Sequence, residues 1–358
     1  MRAGRPGAQK NMTMKKPTLK SIAKALGVSV STVSKALKNS PEISPRTRER
    51  ILEYCRLHQY EPNRMALGLR HRRTGIIGVI VPQTGHYFFS RVITGIQKVA
   101  EAAGYRVLIA HSNNESRAER EHLQLLANGY ADGVLLTLAK ETLQKGDFRH
   151  FLPWIQRGFP LVFFDRYPEK LPVSAVIIDD TEAGRRATEH LLRMGKRRLA
   201  LISTPVYLSV GYRRELGFRK ALNDNGLPVD ENRILRIDER RPLGEQIRGL
   251  FRQTPPPDGI FAVNEQYAAI ALNLAHETGM KIPAELAVIG FSDGIIARHT
   301  YPRLSTVVQH GFRMGQTAAE LLLAQIEADE LPPKPQIKII DTGLVVRGST
   351  SAYPVERL

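Results

Sequence analysis

The chain of 358 residues is predicted to form a small all-α helix-turn-helix headpiece followed by a larger α/β core of two lobes. The first observation behind this division is charge. Residues 1–73 hold 17 Lys and Arg against 4 Asp and Glu, so they carry +13 of the net charge of +17. The second is pattern, because short apolar runs alternate with amphipathic segments from residue 75 onward. Electrostatic affinity for a polyanion is therefore expected in the N-terminal part.

Residues 18–38 predict two short helices joined by a tight turn. Gly27 ends the first helix, because a residue without Cβ takes the left-handed conformation that such a turn needs. Ser29 or Ser31 caps the second helix, expected over roughly residues 30–37. The apolar residues at helical spacing are Ile22, Leu26, Val33 and Leu37. Such a pair also occurs in other small helical cores, and the basic surroundings favour a DNA-reading pair.

The outer face of the second helix carries side chains that suit contacts with DNA. Val30 and Ser31 are short enough to approach base edges, and Lys35 is able to bind phosphate. Ser34 lies on the same face. The residue types therefore predict that this helix reads sequence.

A third helix is predicted from Ser44-Pro45, as N-cap and first turn, to about His58. Its apolar residues Ile51, Leu52 and Leu57 are expected to close the small core. Three short helices in about 45 residues are typical of a minimal headpiece. By composition alone, the segment from Tyr60 to Thr74 that follows is a basic linker with a short helix-capable stretch.

The rest of the chain predicts two Rossmann-like lobes. Short apolar runs separated by amphipathic helices are typical of parallel strands that are covered on both faces. The first series of runs is 76–81, 107–110, 134–136, 161–164 and 176–178. The second series is 199–203, 260–263 and 286–289. A ligand is expected in the cleft between the lobes, where the carboxyl ends of the strands meet.

Candidate effector-binding residues lie where the predicted strands end. They are Phe88, Phe89, Asp165, Arg166, Asp179, Arg214, Asn264, Ser292 and Asp293. Carboxylates, amides and guanidinium groups bind paired hydroxyls, and an aromatic ring covers the apolar face of a sugar. The alternative is that polar residues at strand ends form turns and cap helices.

Other functional classes find little support. There is no G-x-G-x-x-G, Walker A, H-E-x-x-H or nucleophile-elbow motif, and the histidines show no ligand spacing, so no enzyme, cofactor or metal is expected. The single cysteine, Cys55, is typical of a reducing cytoplasm. An exported binding protein is not expected, because the basic residues 1–14 are not followed by an apolar signal region.

Several motifs together resemble the lactose-repressor (LacI/GalR) family of bacterial transcription regulators. They are TLKSIAKALGVSVSTVSKALK at 18–38, SPRTRERI at 44–51, YEPNRMALGL at 60–69 and TGIIGVIVP at 74–82. The resemblance extends over about residues 17–348. It implies a core similar to periplasmic sugar-binding proteins, and a hinge helix over Asn63–Leu69 that enters the minor groove. Leu69 then acts as a wedge that kinks the duplex.

The resemblance also implies a set of DNA-binding residues. They are Thr18, Ser29, Val30, Ser31, Thr32, Ser34, Lys35, Thr47, Arg48, Tyr60, Asn63, Arg64, Ala66 and Leu69. The sequence departs from the family's common pattern at two places. Lys35 replaces the commoner arginine, and Ser292 stands where many sugar-responsive members have an acid, which leaves the ligand class open.

The expected organisation is a basic arm (1–14), the headpiece (15–61), a hinge and linker (62–74), the core (75–348) and a tail (349–358). Within the core, the first lobe is expected to take 75–180 and 295–315, and the second 181–294 and 316–348. The expected function is a cytoplasmic, nucleoid-associated dimeric repressor of a pseudo-palindromic operator, controlled by a carbohydrate effector and without a membrane partner. An activator or dual regulator, or a sugar-binding protein without regulatory role, remains the alternative.

Overall fold

The computed structural model describes residues 17–60, 73–328 and 334–351. These residues belong to two compact units, Met1–Thr74 and Gly75–Leu358. The boundary coincides with the predicted start of the core at residue 75. No helix within the described ranges is long and apolar enough to cross a bilayer.

The described part of the first unit contains three helices, α1 (Leu19–Leu26), α2 (Val30–Leu37) and α3 (Pro45–Leu57). Gly27 ends α1 in the left-handed conformation, with φ of 65°, as the turn requires. The small core consists of Ile22, Ala23, Val33, Ala36, Ile51 and Cys55. Leu52 and Leu57 are exposed instead, because the face of α3 that packs inward repeats every four residues, from Ile51 to Cys55.

The first lobe of the core is a parallel six-stranded sheet with helices on its faces. Its strands are β1 (Ile76–Val81), β2 (Arg106–His111), β3 (Gly133–Leu136), β4 (Leu161–Phe164), β5 (Ser174–Ile178) and β11 (Ile337–Ile340), in the order β11-β5-β4-β3-β1-β2. Its helices are α4 (Tyr87–Ala102), α5 (Ser116–Leu125), α6 (Lys140–Lys145), α7 (Leu152–Gln156) and α13 (Gly311–Glu327), with short turns at Leu126–Tyr130 and Arg149–Phe151.

The second lobe repeats this plan with one antiparallel edge strand. Its strands are β6 (Leu199–Ser203), β7 (Ile234–Arg236), β8 (Gly259–Ala262), β9 (Ala287–Phe291), β10 (Ser305–Val308) and β12 (Gly343–Val345), in the order β12-β10-β9-β8-β6-β7. Its helices are α8 (Asp180–Arg193), α9 (Ser209–Asp224), α10 (Leu243–Phe251), α11 (Glu265–Glu277) and α12 (Ile295–His299), with a short turn at Glu231–Arg233. Among the strands that the structure describes, β12 alone runs antiparallel to its neighbour, β10.

The expected assignment of the later segments to lobes is wrong. Residues 295–308 belong to the second lobe, because β10 pairs with β9 there. Residues 311–328 and 334–340 belong to the first lobe, where β11 pairs with β5. Gln325 on α13 confirms this placement, since its side chain accepts from Leu161 N at 3.1 Å and donates to Ser174 Oγ at 2.9 Å. The chain therefore crosses between the lobes three times, near residues 179, 309 and 342.

One pair of helices in each lobe packs backbone against backbone. A Cβ added at Gly95 of α4 would lie 2.1 Å from the carbonyl oxygen of Phe312 in α13. A Cβ at Gly184 of α8 would lie 2.4 Å from the carbonyl oxygen of Arg214 in α9. Only glycine permits these approaches. The second approach brings Arg214 beside the first turn of α8.

Candidate DNA-reading surface and inter-lobe site

Hydroxyl groups organise the start of α2. Ser29 is its N-cap, and its Oγ accepts a hydrogen bond from Thr32 N at 3.0 Å. The same Oγ lies 2.7 Å from Ser31 Oγ and 2.8 Å from Thr32 Oγ1. Thr18 begins α1 in a similar way, in a capping box with Ser21. Ser29 and Thr18 thus have structural roles that local sequence explains.

The exposed face of α2 is the one that the sequence predicts. Val30 is 41% exposed, and Ser31 and Lys35 are exposed beside it, whereas Ser34 and Thr32 are half-buried. A valine exposed on a helix is available for apolar contact with a base edge, such as a thymine methyl group. The geometry is therefore compatible with base reading by this face, which remains a prediction.

Other predicted DNA contacts have internal partners. Arg48 donates through Nη2 to the carbonyl oxygens of Ser40 at 2.7 Å and Ile43 at 3.2 Å, so it clamps the turn between α2 and α3. Thr47 lies in the first turn of α3, and its backbone N–H donates to Ser44 Oγ at 3.3 Å. Tyr60 is half-buried against the headpiece core. The predictions for Asn63, Arg64, Ala66 and Leu69 lie outside the described residues.

In the core, the two lobes share an unusual feature at the ends of matching strands. Asp165 follows β4 with φ of 61°, and Ser292 follows β9 with φ of 72°. Each backbone N–H bonds to the next strand, to Val176 O at 3.0 Å and Val307 O at 2.9 Å. Left-handed residues other than glycine store strain that is common at functional sites. Both lie at the carboxyl edge of a sheet, where the fold class places ligands.

On the first lobe, Arg166 is buried with only 5% of its surface exposed. Its Nε lies 3.6 Å from Asp165 Oδ2 and 3.3 Å from Thr137 Oγ1, and its guanidinium carbon is 5.9 Å from the centroid of the Phe89 ring. Burial raises the pKa of Asp165, and the charges of Arg166, Arg214 and His86 oppose this rise. The positive charge of Arg214, which belongs to the second lobe, therefore affects the pKa of Asp165 in the first lobe.

On the second lobe, Arg214 is held by three groups. Its Nε donates to Asp180 Oδ1 at 2.8 Å, its Nη1 donates to Val263 O at 2.7 Å, and its guanidinium carbon lies 3.5 Å from the centroid of the Phe291 ring. Burial raises the pKa of Asp180 to about 6, although the positive charge of Arg214 lowers it. Desolvation of this carboxylate therefore has a larger effect on its pKa than the ion pair with Arg214 has.

The acid that pairs with Arg214 is Asp180, which the sequence analysis did not single out, and the predicted effector residue Asp179 next to it has a structural partner of its own. Asp179 is the N-cap of α8, and its Oδ1 accepts from Glu182 N at 2.9 Å. A signal for this was present in the sequence. An acid three residues before a glutamate is typical of a helix N-terminus, which identifies Asp179 as the cap and turns Asp180 into the first helical residue.

Several of the other predicted effector residues bond within their own lobe. Asn264 caps α11 by accepting from Tyr267 N at 2.8 Å. Asp293 pairs with Arg298 at 2.9 Å and with Arg347 at 2.6 Å. Ser292 donates to the Gln309 amide oxygen. Capping and turn formation thus explain these side chains without a ligand, and effector contact by them stays a prediction.

Phe88 and Phe89 are both buried in the core of the first lobe, with ring centroids 5.3 Å apart. Of the two, Phe89 lies nearer to the charged groups, because Arg166 approaches its ring. An apolar surface beside hydrogen-bonding groups remains compatible with the predicted contact of Phe89 with a ligand.

Some residues at the inter-lobe site were missed by sequence reasoning. His86 precedes α4, and its buried Nδ1 has no hydrogen-bond partner in the part of the chain that the structure describes. Burial lowers its pKa, and the nearby Asp165 opposes this. Ion pairs also join the lobes, from Lys140 to Glu239 and from Arg213 to Glu169. No local pattern marks such residues, because their partners are distant in sequence.

Within residues 17–60, 73–328 and 334–351, no three His, Cys, Asp or Glu side chains cluster in a way that could hold a metal ion. Cys55 is buried in the headpiece. The inter-lobe site contains hydrogen-bonding and charged groups from both lobes, such as Arg166 and Arg214, and this arrangement is suited to a small polar molecule.

A three-helix headpiece with a capped second helix, joined to two α/β lobes with polar strand ends, defines the class of DNA-binding regulators that carry a ligand-binding domain. The family description "Bacterial regulatory proteins, lacI family" matches residues 18–63, and "Periplasmic binding protein-like domain" matches residues 188–350. The ribose operon repressor of Halalkalibacterium halodurans is 33% identical, over 93% of this chain and 97% of the relative. The repressor CytR of Escherichia coli strain K12 is 30% identical, over 94% and 97%. The chain belongs to the lacI family of bacterial transcription regulators.

Solved structures show the same architecture. The transcriptional regulator CelR in complex with cellobiose aligns with a TM-score of 0.68 and 29% identity, over 93% of this chain and 99% of that one. The lac repressor dimer bound to operator and the anti-inducer ONPF aligns with a TM-score of 0.80, over 94% and 100%, at 23% identity, which supports the fold alone. The predicted family, fold class and regulatory rather than enzymatic function are confirmed.

Proposed function

We propose that this regulator is a cytoplasmic dimeric repressor whose affinity for a pseudo-palindromic operator changes when a sugar or sugar derivative binds between the lobes. The observation that carries the proposal is a set of buried charged groups in both lobes: Asp165 pairs with Arg166 in the first lobe, Asp180 pairs with Arg214 in the second, and the charge of Arg214 opposes the rise in the pKa of Asp165. Charged groups from both lobes give a ligand different contacts in open and closed forms, which is what allosteric control requires.

The relatives support the ligand class. The names of a ribose operon repressor and a CelR-cellobiose complex refer to neutral sugars. In this chain, hydroxyl groups of a sugar would bond to the carboxylate of Asp165 and the guanidinium of Arg166, with Phe89 against the apolar face of the ring. Lobe closure would then change the spacing of the two hinge segments of a dimer, where Leu69 is proposed to act as the wedge in DNA.

A thermal-shift panel of neutral sugars, sugar acids, sugar phosphates and nucleosides tests the effector proposal, because a ligand that binds only the folded state raises its stability. The sugar with the largest shift is then titrated against a matched pair of variants. Asp165→Asn should lose ligand affinity by about 10-fold or more, because it removes a charged acceptor from the cluster. Asp179→Asn should retain it, because asparagine caps a helix as well as aspartate does. Equal affinities for both variants would contradict the proposed site.

Operator binding is tested by titrating the intact protein with a site selected from random DNA and with random DNA of the same length. We expect the selected site to bind at least about 1,000-fold more tightly at physiological salt. Leu69→Ala should weaken this binding and reduce the bend measured on circularly permuted fragments. Equal affinity for both DNAs would instead indicate a non-specific nucleic-acid binder.

A further inference from the structure

The exposed face of α2 that carries Val30, Ser31 and Lys35, here called the reading face of the headpiece, takes part in an exposed ion pair. Lys35, in the last turn of α2, bonds through Nζ to Glu42 Oε2 in the turn before α3. The side chains are 48% and 63% exposed. Exposed pairs of this kind contribute little to stability. Its two members are therefore available for another role at the surface where DNA is expected to bind.

The turn that carries Glu42 is held in place. Ser40 N bonds to Lys35 O at 3.0 Å, and Ile43 N bonds to Ser40 O at 3.3 Å. The Arg48 guanidinium donates to the carbonyl oxygens of both Ser40 and Ile43, which flank the Pro41-Glu42 dipeptide. A carboxylate on a clamped turn loses less conformational freedom in restraining a lysine than one on a free loop.

Glu42 is also surrounded in the sequence by basic residues. Between residues 17 and 48 it is the one acidic residue among Lys20, Lys24, Lys35, Lys38, Arg46 and Arg48. A carboxylate in such surroundings repels phosphate and lowers electrostatic affinity for any DNA sequence. Lysine is a flexible point charge, and without a partner it would bind whichever phosphate lies nearest.

We propose that Glu42 is a specificity-determining residue, which holds the Lys35 ammonium in one position for a base edge and keeps it from neighbouring phosphates. This inference rests on the proposed sequence-specific binding of DNA. Glu42 lowers non-specific affinity more than it lowers operator affinity, so it increases the ratio between the two. That ratio, rather than affinity alone, decides how a regulator finds its site among competing DNA.

The experiment uses the full-length protein, the site that the parent enriches from a random double-stranded library, and random DNA of equal length. Glu42→Gln should bind random DNA about 2- to 5-fold more tightly, with a steeper salt dependence, and should gain little on the selected site. Glu53→Gln is the matched control, because Glu53 is exposed on α3 and the change in net charge is identical. It should shift both affinities equally and leave their ratio unchanged.

A second comparison, in a protein that already lacks the Lys35 ammonium, measures the contribution of the ion pair itself. In Lys35→Gln, the further change Glu42→Gln should alter the affinity ratio by less than about 1.5-fold, because the restrained partner is already absent. An equal ratio for Glu42→Gln and Glu53→Gln would overturn the inference. The inference would also be overturned if Glu42→Gln lost its base preference at a single position of the selected site, because Glu42 would then contact a base itself. If the parent enriches no sequence at all, the proposed operator binding fails, and this inference fails with it.

Discussion

The reading face of the headpiece and the inter-lobe site of the core differ in how far apart in the sequence their hydrogen-bonding partners lie. At the start of α2, exposed hydroxyls bond to neighbours two or three residues away, as Ser29 does to Ser31 and Thr32. Between the lobes, a buried guanidinium bonds to groups 34 and 49 residues away, as Arg214 does to Asp180 and Val263. Recognition and stability can therefore be separated in the headpiece, whereas in the cleft a substitution affects both.

The largest expected effect is in the cleft. Arg214→Ala should lower the free energy of unfolding of the core by about 3–5 kcal/mol, because it leaves the Asp180 carboxylate buried without its partner. Arg213→Ala is the control, because Arg213 is adjacent in the chain but only half-buried, and it pairs with Glu169. It should cost less than about 1 kcal/mol. Urea denaturation measures both, and similar costs for the two variants would show that burial does not distinguish them.

The same cluster should respond to pH. The folded-state pKa of Asp180 is about 6, above the ordinary value of 3.8, so its contribution to stability is present below pH 3.8 and is lost as pH rises through 6. The burial that raises the pKa of Asp165 acts in the same direction. Across this window, the parent should lose about 3 kcal/mol relative to Asp180→Asn, which does not titrate. A constant difference between the two proteins from pH 4 to 7 would contradict the assigned pKa.

The headpiece allows a comparison of two adjacent serines. Ser29→Ala should cost about 1 kcal/mol of local stability, because it removes the N-cap of α2, and amide hydrogen exchange of that helix measures the loss. Ser31→Ala should leave exchange unchanged and alter the base preference of the selected half-site by about 1–3 kcal/mol at one position. Equal destabilisation by both changes would mean that the two hydroxyls act as one cap.

The smallest effect is expected where the lobes meet at the surface. Lys140→Gln removes an inter-lobe ion pair with Glu239 and should weaken effector binding no more than about 5-fold, with the difference lost in about 1 M salt. Lys145→Gln removes a pair with Glu141 inside the first lobe and should leave effector affinity unchanged. A larger, salt-independent effect of Lys140→Gln would indicate direct contact with the ligand.

The sequence predicted individual helices and strands correctly where the residues that indicate them lie within one turn or one strand. The predicted second helix, residues 30–37, agrees with the structure, because its cap, its apolar spacing and Gly27 are adjacent. The early strands were predicted for the same reason. The later segments 305–308 and 337–340 went to the wrong lobe, because nothing in a strand's own residues indicates which of two similar sheets it joins.

The sequence by itself determined the class of this protein: the basic headpiece, the capped reading helix, the two α/β lobes and the family to which the motifs belong. These depend on charge, periodicity and residues adjacent in the chain. Only the tertiary structure decided that Asp180 pairs with Arg214, that Arg48 donates to the turn between α2 and α3, and that Glu42 pairs with Lys35. The physical reason is that the partner of a charged side chain is chosen by burial and packing in three dimensions, which bring together residues that the sequence keeps apart.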